Sequence, residues 1–310
     1  MNKLAIVIPY YKIDFFEDCI KSISCQTNKD FKIYIGNDAS PVDPIPIIEK
    51  YLIPSQYEYY GYEDNLGGKN LALQWSRILE QVSEEWFQIL GDDDSIGGNF
   101  VEEFYKNLPD LNEEVNVLKM NNCLKFINGS EQRFYEGFST GFYNSFDLIR
   151  RKLAGGLNSS LSEHIFRTKK YHEVGFDIFP LAWHTDDLFL IKMSDFNDLY
   201  FVKESEVIIR VFENSTSGSK ENLKEKVEAT DKFFKIFSDL IIERNLGWSK
   251  ERQFLNAIKR YRSELAEESL RAIFCSFGIK GWFFYLSYQI RLLLKNLVPN
   301  NLLRTITENR

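Results

Sequence analysis

Trp86-Phe87-Gln88-Ile89-Leu90-Gly91-Asp92-Asp93-Asp94 runs an apolar segment straight into three consecutive carboxylates. The apolar part reads as a strand buried on both faces. The acids then stand at its carboxyl end. Adjacent carboxylates repel, and burying them without a counter-charge is costly. A solvated loop or a helix N-cap satisfies the pattern with no function attached. The alternative is a divalent cation, Mg²⁺ or Mn²⁺, which takes oxygen ligands and shares them with phosphates.

Similar strands lie upstream: Leu4–Ile8 ended by Pro9, Phe31–Ile35 ended by Gly36-Asn37-Asp38, and Tyr57–Tyr62. Helical segments separate them. Asp14 and Glu17 suggest a capping box for the first, residues 47–52 a short second, and Leu71 to Leu79 a third. Alternating strands and helices predict an α/β fold with a mostly parallel sheet. Ligands of such sheets bind beyond the carboxyl ends of strands. Asp38 and Asp92–Asp94 both occupy such ends, although an Asp in Asp38's place is ordinarily a turn residue. In Asn65-Leu66-Gly67-Gly68-Lys69 the glycines permit close backbone approach, and Lys69 near a helix start favours an anion. Farther on, Val115–Met120, Ser160–Arg167 and Glu206–Phe212 read as strands, Asn128-Gly129 as a hairpin turn, and the chain from Leu223 as helical. Asp186-Asp187 precede an apolar run; they suit either the first turn of a helix or a general base.

The 310-residue chain is 44% hydrophobic and 27% charged, as expected of a globular protein with one large or two small domains. Its charge of −7 is uneven: Ser249–Arg310 carries 11 Lys and Arg against 5 Asp and Glu, or +6, leaving −13 elsewhere. An acidic body argues against nucleic acid as a partner. Cys19, Cys25, Cys123 and Cys275 form no C-x-x-C pair, and the three histidines have no zinc spacing. Reduced thiols, and a strand beginning directly after Met1-Asn2-Lys3, lead to the expectation of a cytoplasmic protein without a signal peptide. Pro9-Tyr10-Tyr11 after the first strand excludes the dehydrogenase fingerprint, a haloacid-type nucleophilic Asp and the Gly-rich loop of a sugar nucleotidyltransferase.

Taken together, VIPYYK (Val7–Lys12), SISCQTNKDFKIYIGNDAS (Ser22–Ser40), NLGGKNLAL (Asn65–Leu73), ILGDDDSI (Ile89–Ile96), SEHIFRTKKYHEVGFD (Ser162–Asp177) and HTDDLFLIKM (His184–Met193) resemble the family 2 inverting glycosyltransferases of GT-A fold. The resemblance covers about residues 3–213. It implies a catalytic domain over residues 1–215, with a nucleotide-sugar half (1–112) and an acceptor half (113–215); the region at 216–310, helical by its sequence pattern, lies outside the resemblance. It implies a UDP-sugar donor, Mn²⁺ or Mg²⁺, and transfer to a saccharide hydroxyl, the acceptor being carried on a polyprenyl diphosphate as in bacterial surface polysaccharide synthesis. Donor contacts would come from Pro9, Tyr11, Asp38, Asn65, Lys69, Asp92 and Asp93. Among these, Asp38 would accept the uracil N3–H and Asp92 approach the ribose. The metal would sit on Asp93 and Asp94. Asp187 would be the base, with Asp186 an alternative one residue away. Gly91, Asn37 and Lys69 depart from the family pattern, which more often has acids at the first two places and Arg at the third. A non-catalytic scaffold on the same fold is the competing reading.

The tail leaves two readings open. Ser287, Arg291 and Lys295 recur every four residues, while Trp282, Leu286, Ile290, Leu293 and Leu297 lie largely on another face. Such a helix either closes a C-terminal bundle or lies in the plane of an anionic membrane, peripheral to its inner face.

Overall fold

The structure, a computed structural model, describes residues 3–212 and 222–297. The chain forms two compact units, one up to Ala229 and one from Thr230 onward.

In the first unit a ten-stranded sheet has the order β3-β2-β1-β4-β9-β6-β10-β5, with β7 on β6 and β8 on β10. β1 (Leu4–Tyr10), β2 (Phe31–Asn37), β3 (Tyr57–Gly61) and β4 (Trp86–Ile89) pair in parallel. Leu4 through Ile8 and all of β4 are buried, because helices cover both faces of a parallel sheet. The register pairs Tyr10 with Asn37 and Asn37 with Gly61, so three strands end level and their following residues share one rim. Helices α1 (Phe16–Ser24), α2 (Ile45–Tyr51) and α3 (Leu71–Leu79) connect them. The expected capping box at α1 does not form: Phe15 is the N-cap, without a side-chain cap. Glu17 instead accepts from Lys50 Nζ at 2.6 Å and Tyr51 Oη at 2.8 Å. The cap belongs to α3, where Asn70 Oδ1 accepts from Ala72 N.

Two short elements, β5 (Ser95–Ile96) and α4 (Phe100–Asn107), follow β4. β6 (Val117–Phe126) is longer than expected and turns through Gly129, at φ 83°, into β7 (Glu131–Arg133). β8 (Gly141–Asn144) and α5 (Ser145–Leu153) lead to β9 (His164–Arg167), inserted antiparallel between β4 and β6. Helices α6 (Thr168–Val174) and α7 (Thr185–Ser194) precede β10 (Asp198–Val211), whose register on β6 shifts between Val202 and Glu206.

α8 (Leu223–Glu243) runs across the boundary between the units. The second unit contains α9 (Trp248–Ile258), α10 (Glu267–Ser276) and α11 (Gly278–Leu297). Phe233, Phe234, Phe237 and Phe254 form its buried aromatic core.

Candidate active site

The rim collects every strand-end residue singled out in the sequence. Asp38 follows β2 and is 3% exposed. Its carboxylate accepts from Leu66 N at 2.8 Å, from Gly67 N at 2.7 Å and from Arg77 Nη2. Burial raises its pKa, opposed by the two amides and the guanidinium. A Cβ at Gly67 would lie 2.5 Å from Asp38 Oδ2, so only glycine lets this loop close on the acid. Arg77 also lies over the Tyr62 ring at 3.6 Å. Asn37 Oδ1 accepts from Ser40 N while Nδ2 donates to Tyr59 Oη. Asn65 Oδ1 accepts from Gly68 N, and Lys69 stands exposed beside it.

The Asp92–Asp94 run divides its work. Asp92 Oδ2 accepts from Tyr11 N and Lys12 N, both at 2.7 Å, joining the ends of β1 and β4 at the partly buried Pro9-Tyr10-Tyr11 corner. Burial lifts its pKa to about 6 against those two bonds. Asp94 is 6% exposed: Oδ2 accepts from Ser162 Oγ at 2.6 Å and Oδ1 from Arg210 N at 3.0 Å. Burial and Asp93 push it well above the usual carboxylate range. Asp93 lies between them with Lys12 and Arg210 as nearby positive charges; burial raises its pKa. Arg210 clamps the segment, donating from Nη1 to Asp93 O at 3.1 Å and from Nη2 to Asp18 at 2.7 Å. A Cβ at Gly91 would stand 2.9 Å from Asp93 Oδ1 and 3.1 Å from Asp94 Oδ2, which accounts for glycine there. Among the described residues no three acids, histidines or cysteines converge as a ready-made metal cage. The arrangement fits a cation held by one protein carboxylate and completed by ligand oxygens.

Asp186 and Asp187 open α7, where a helix N-terminus favours negative charge. Leu181, Ala182 and His184 enter the helix with φ of 57°, 52° and 65°. These strained residues fix where the acids point. Asp187 is 3% exposed and accepts from Lys152 Nζ at 2.5 Å and His184 Nδ1 at 2.8 Å. Burial would raise its pKa, but Lys152 and His184 prevail and hold it at about 2. Asp186 lies 3.3 Å from the same ammonium, its side chain is 26% exposed, and burial raises its pKa. Behind them is a buried ion pair, Lys119 Nζ to Glu163 Oε1 at 2.7 Å, with each side chain 1% exposed or less. Glu163 also accepts from Asn122 Nδ2, Ser160 N and Ser160 Oγ, and is held at about 2 in spite of its burial. The Glu163 charge is felt at Lys152 and at Asp94, so the acid pair and the rim belong to one electrostatic neighbourhood.

Sequence reading missed Arg77, Lys119, Lys152, Glu163 and Arg210 as individual site residues. Ser162 and Glu163 lay within a recognised motif; Lys152 sits on α5, an element not anticipated.

A mostly parallel sheet with acids gathered along one rim is the arrangement of the GT-A fold. Residues 5–158 match the model of glycosyl transferase family 2, and this part of the chain is a family 2 glycosyltransferase domain. The chain is 26% identical over 135 residues to glycosyltransferase GlyA of Streptococcus pneumoniae serotype 4 (strain ATCC BAA-334 / TIGR4), covering 43% of this chain and 18% of GlyA. It therefore spans about a fifth of that relative's length. S. aureus TarS 1–349 in complex with UDP-GlcNAc has the same fold, with a TM-score of 0.66 at 18% identity over 90% of this chain and 78% of that one. The TarS 1–349 complex with UDP gives 0.55 at 17% identity over 89% and 75%.

Proposed function

We propose that the chain is an inverting glycosyltransferase that moves a sugar from a UDP-sugar to an acceptor hydroxyl, with residues 1–215 as its catalytic part. The observation that supports this best is the rim itself. Asp38 and Asp93 stand on the ends of parallel strands in a fold shared with a UDP-GlcNAc complex.

Asp38 takes the uracil N3–H on the lone pair that its three donors leave, since a carboxylate offers about four. Asp92, fixed by Tyr11 and Lys12, faces the ribose, and Asn65 and Lys69 flank the donor. Asp93 would hold Mn²⁺ or Mg²⁺ with the diphosphate, where the cation would supply positive charge to offset that of the departing UDP. Asp94, with one donor on each oxygen and lone pairs left on both, anchors the segment and stands beside Asp93 as the second candidate ligand. Asp186 takes the acceptor proton as the hydroxyl oxygen bonds to C1 and the C1–O bond to UDP breaks with inversion. Its exposure and raised pKa suit a base better than Asp187, which Lys152 and His184 keep ionised and enclosed. A saccharide on a polyprenyl diphosphate is the proposed acceptor, at the inner face of the cytoplasmic membrane.

UDP release from a panel of UDP-sugars, with and without Mn²⁺, tests the reading. Wild type is expected to release UDP in a metal-dependent way and Asp93→Ala to lose nearly all of it. Asp186→Asn is expected to lose acceptor transfer by roughly 10³-fold while still binding donor. Donor binding without turnover toward any saccharide would favour the scaffold reading. Full activity in Asp186→Asn with none in Asp187→Asn would move the base by one residue.

A further inference from the structure

The apolar side chains of α11 split between two opposite faces. One face packs on α10. Phe274 stacks on Phe284 and Tyr288 at 6.0 and 6.2 Å between ring centres. A Cβ at Gly281 would lie 2.0 Å from Phe274 O, so the helices touch through bare backbone. Glu267 of α10 accepts from both Tyr285 Oη and Gln289 Nε2. These contacts fix the rotation of α11 about its axis.

The opposite face is thereby turned to solvent. Trp282, Phe283, Ile290, Leu293 and Leu294 are 41 to 62% exposed, and Ile279 is 73% exposed. At 3.6 residues per turn these six fall within about 120° of one another. Burying such a stripe stabilises association with anything apolar, and leaving it in water is unfavourable. α11 contains no acid. Lys280 and Arg291 lie beside the stripe, on the flank opposite Gln289, and the nearest acid N-terminal to the helix is Glu268. The segment from Ser249 carries +6 on a chain whose remainder carries −13. No helix among the described residues is long and apolar enough to cross a membrane.

We propose that this outer face of α11 docks in the plane of an anionic bilayer, its apolar stripe in the acyl boundary and Lys280 and Arg291 against the headgroups. An apolar stripe alone would suit a second copy equally well. The one-sided positive charge selects an anionic surface, because two copies of α11 face to face would bring cations together. The inference does not rest on the catalytic reading.

The test is flotation of the full chain with phosphatidylglycerol-containing vesicles and with pure phosphatidylcholine vesicles, at low and high salt. Ile290→Glu/Leu293→Glu changes only exposed positions, so the fold is retained; circular dichroism checks this. Wild type should float with the anionic vesicles, lose most binding in high salt, and bind neutral vesicles at least about tenfold less. The double variant should lose at least about tenfold in vesicle binding. Size exclusion with light scattering runs in parallel. A wild-type dimer that the double variant turns into monomer, with no flotation by either, would show that the face is a self-contact and overturn the proposal. Equal flotation by wild type and variant would also overturn it.

Discussion

The rim of β1, β2 and β4 and the pocket at the start of α7 hold their carboxylates by different means. On the rim, backbone amides carry most of the load, from Leu66 and Gly67 to Asp38 and from Tyr11 and Lys12 to Asp92, with Arg77 as the one side-chain cation on Asp38. In the pocket, Asp187 and Glu163 lean on ammonium groups, the partly buried Lys152 and the fully buried Lys119. Backbone donors come with the fold and tolerate changes in side chains around them. Buried charges depend on one another, so removing one strands its partner. The rim is suited to receiving a ligand that brings its own charge. The pocket is a preorganised field, set before any ligand arrives.

The largest expected effect breaks that contrast directly. Glu163→Gln leaves Lys119 buried beside a neutral amide and should cost about 3–5 kcal/mol of stability. Asp38→Asn, of the same shape, keeps one acceptor and should cost about 1–3 kcal/mol. Urea denaturation measures both. Equal losses would mean that the rim is as charge-dependent as the pocket.

Acid sharpens the same contrast. His164 is buried and its pKa is held down at about 3, first by burial and then by Lys119. Its contribution is fully present above the unfolded value of about 6.5. Below that the unfolded chain binds a proton that the folded chain refuses, and stability falls as pH drops toward 3. From pH 7 to 5 the loss should be about 2 kcal/mol. The Asp187 contribution has the other window: it is present above about 4 and is lost as pH falls through about 2. His164→Gln should flatten the pH 5–7 part of the stability profile; an unchanged slope would remove His164 from the account.

Gly67→Ala probes the rim without touching charge. The added methyl must push the loop off Asp38. UDP affinity measured by calorimetry should drop about tenfold, roughly 1.4 kcal/mol. An unchanged Kd would separate the loop from donor binding.

The two regions also differ in how far the sequence discloses them. Leu4–Ile8 is a continuous apolar run and Trp86–Leu90 is apolar but for Gln88, as a two-sided parallel sheet demands, so their ends and the acids on them can be located by reading along the chain. The pocket is assembled from α5, β6, β9 and α7. Arg150-Arg151-Lys152 presents three cations in a row, and nothing in their spacing says that Lys152 is the one that meets Asp187. Lys119 lies mid-strand, where a charge ordinarily argues for exposure, yet it is 1% exposed because Glu163 arrives from a segment 44 residues away. Arg77 and Arg210 likewise find Asp38 and Asp93 only in three dimensions.

The smallest effect concerns a local signal that tertiary packing overrode. Asp14 and Glu17 have the spacing of a capping box, but α1 starts at Phe16, and Glu17 turns to Lys50 and Tyr51 of α2. Tyr10 and Phe16 lie 4.5 Å apart between ring centres and Phe16 is fully buried, so its insertion under β1 sets where the helix begins. A cap at Asp14, one residue earlier, would have to move that ring. Asp14→Ala should therefore leave the melting temperature unchanged within about 1 °C. Asn70→Ala removes a cap that is formed, together with its bond to Phe179 O, and should cost about 1–2 kcal/mol. If Asp14→Ala destabilises as much as Asn70→Ala, the first helix is capped by its side chain in solution. The anchoring of Phe16 would then not be what sets its start.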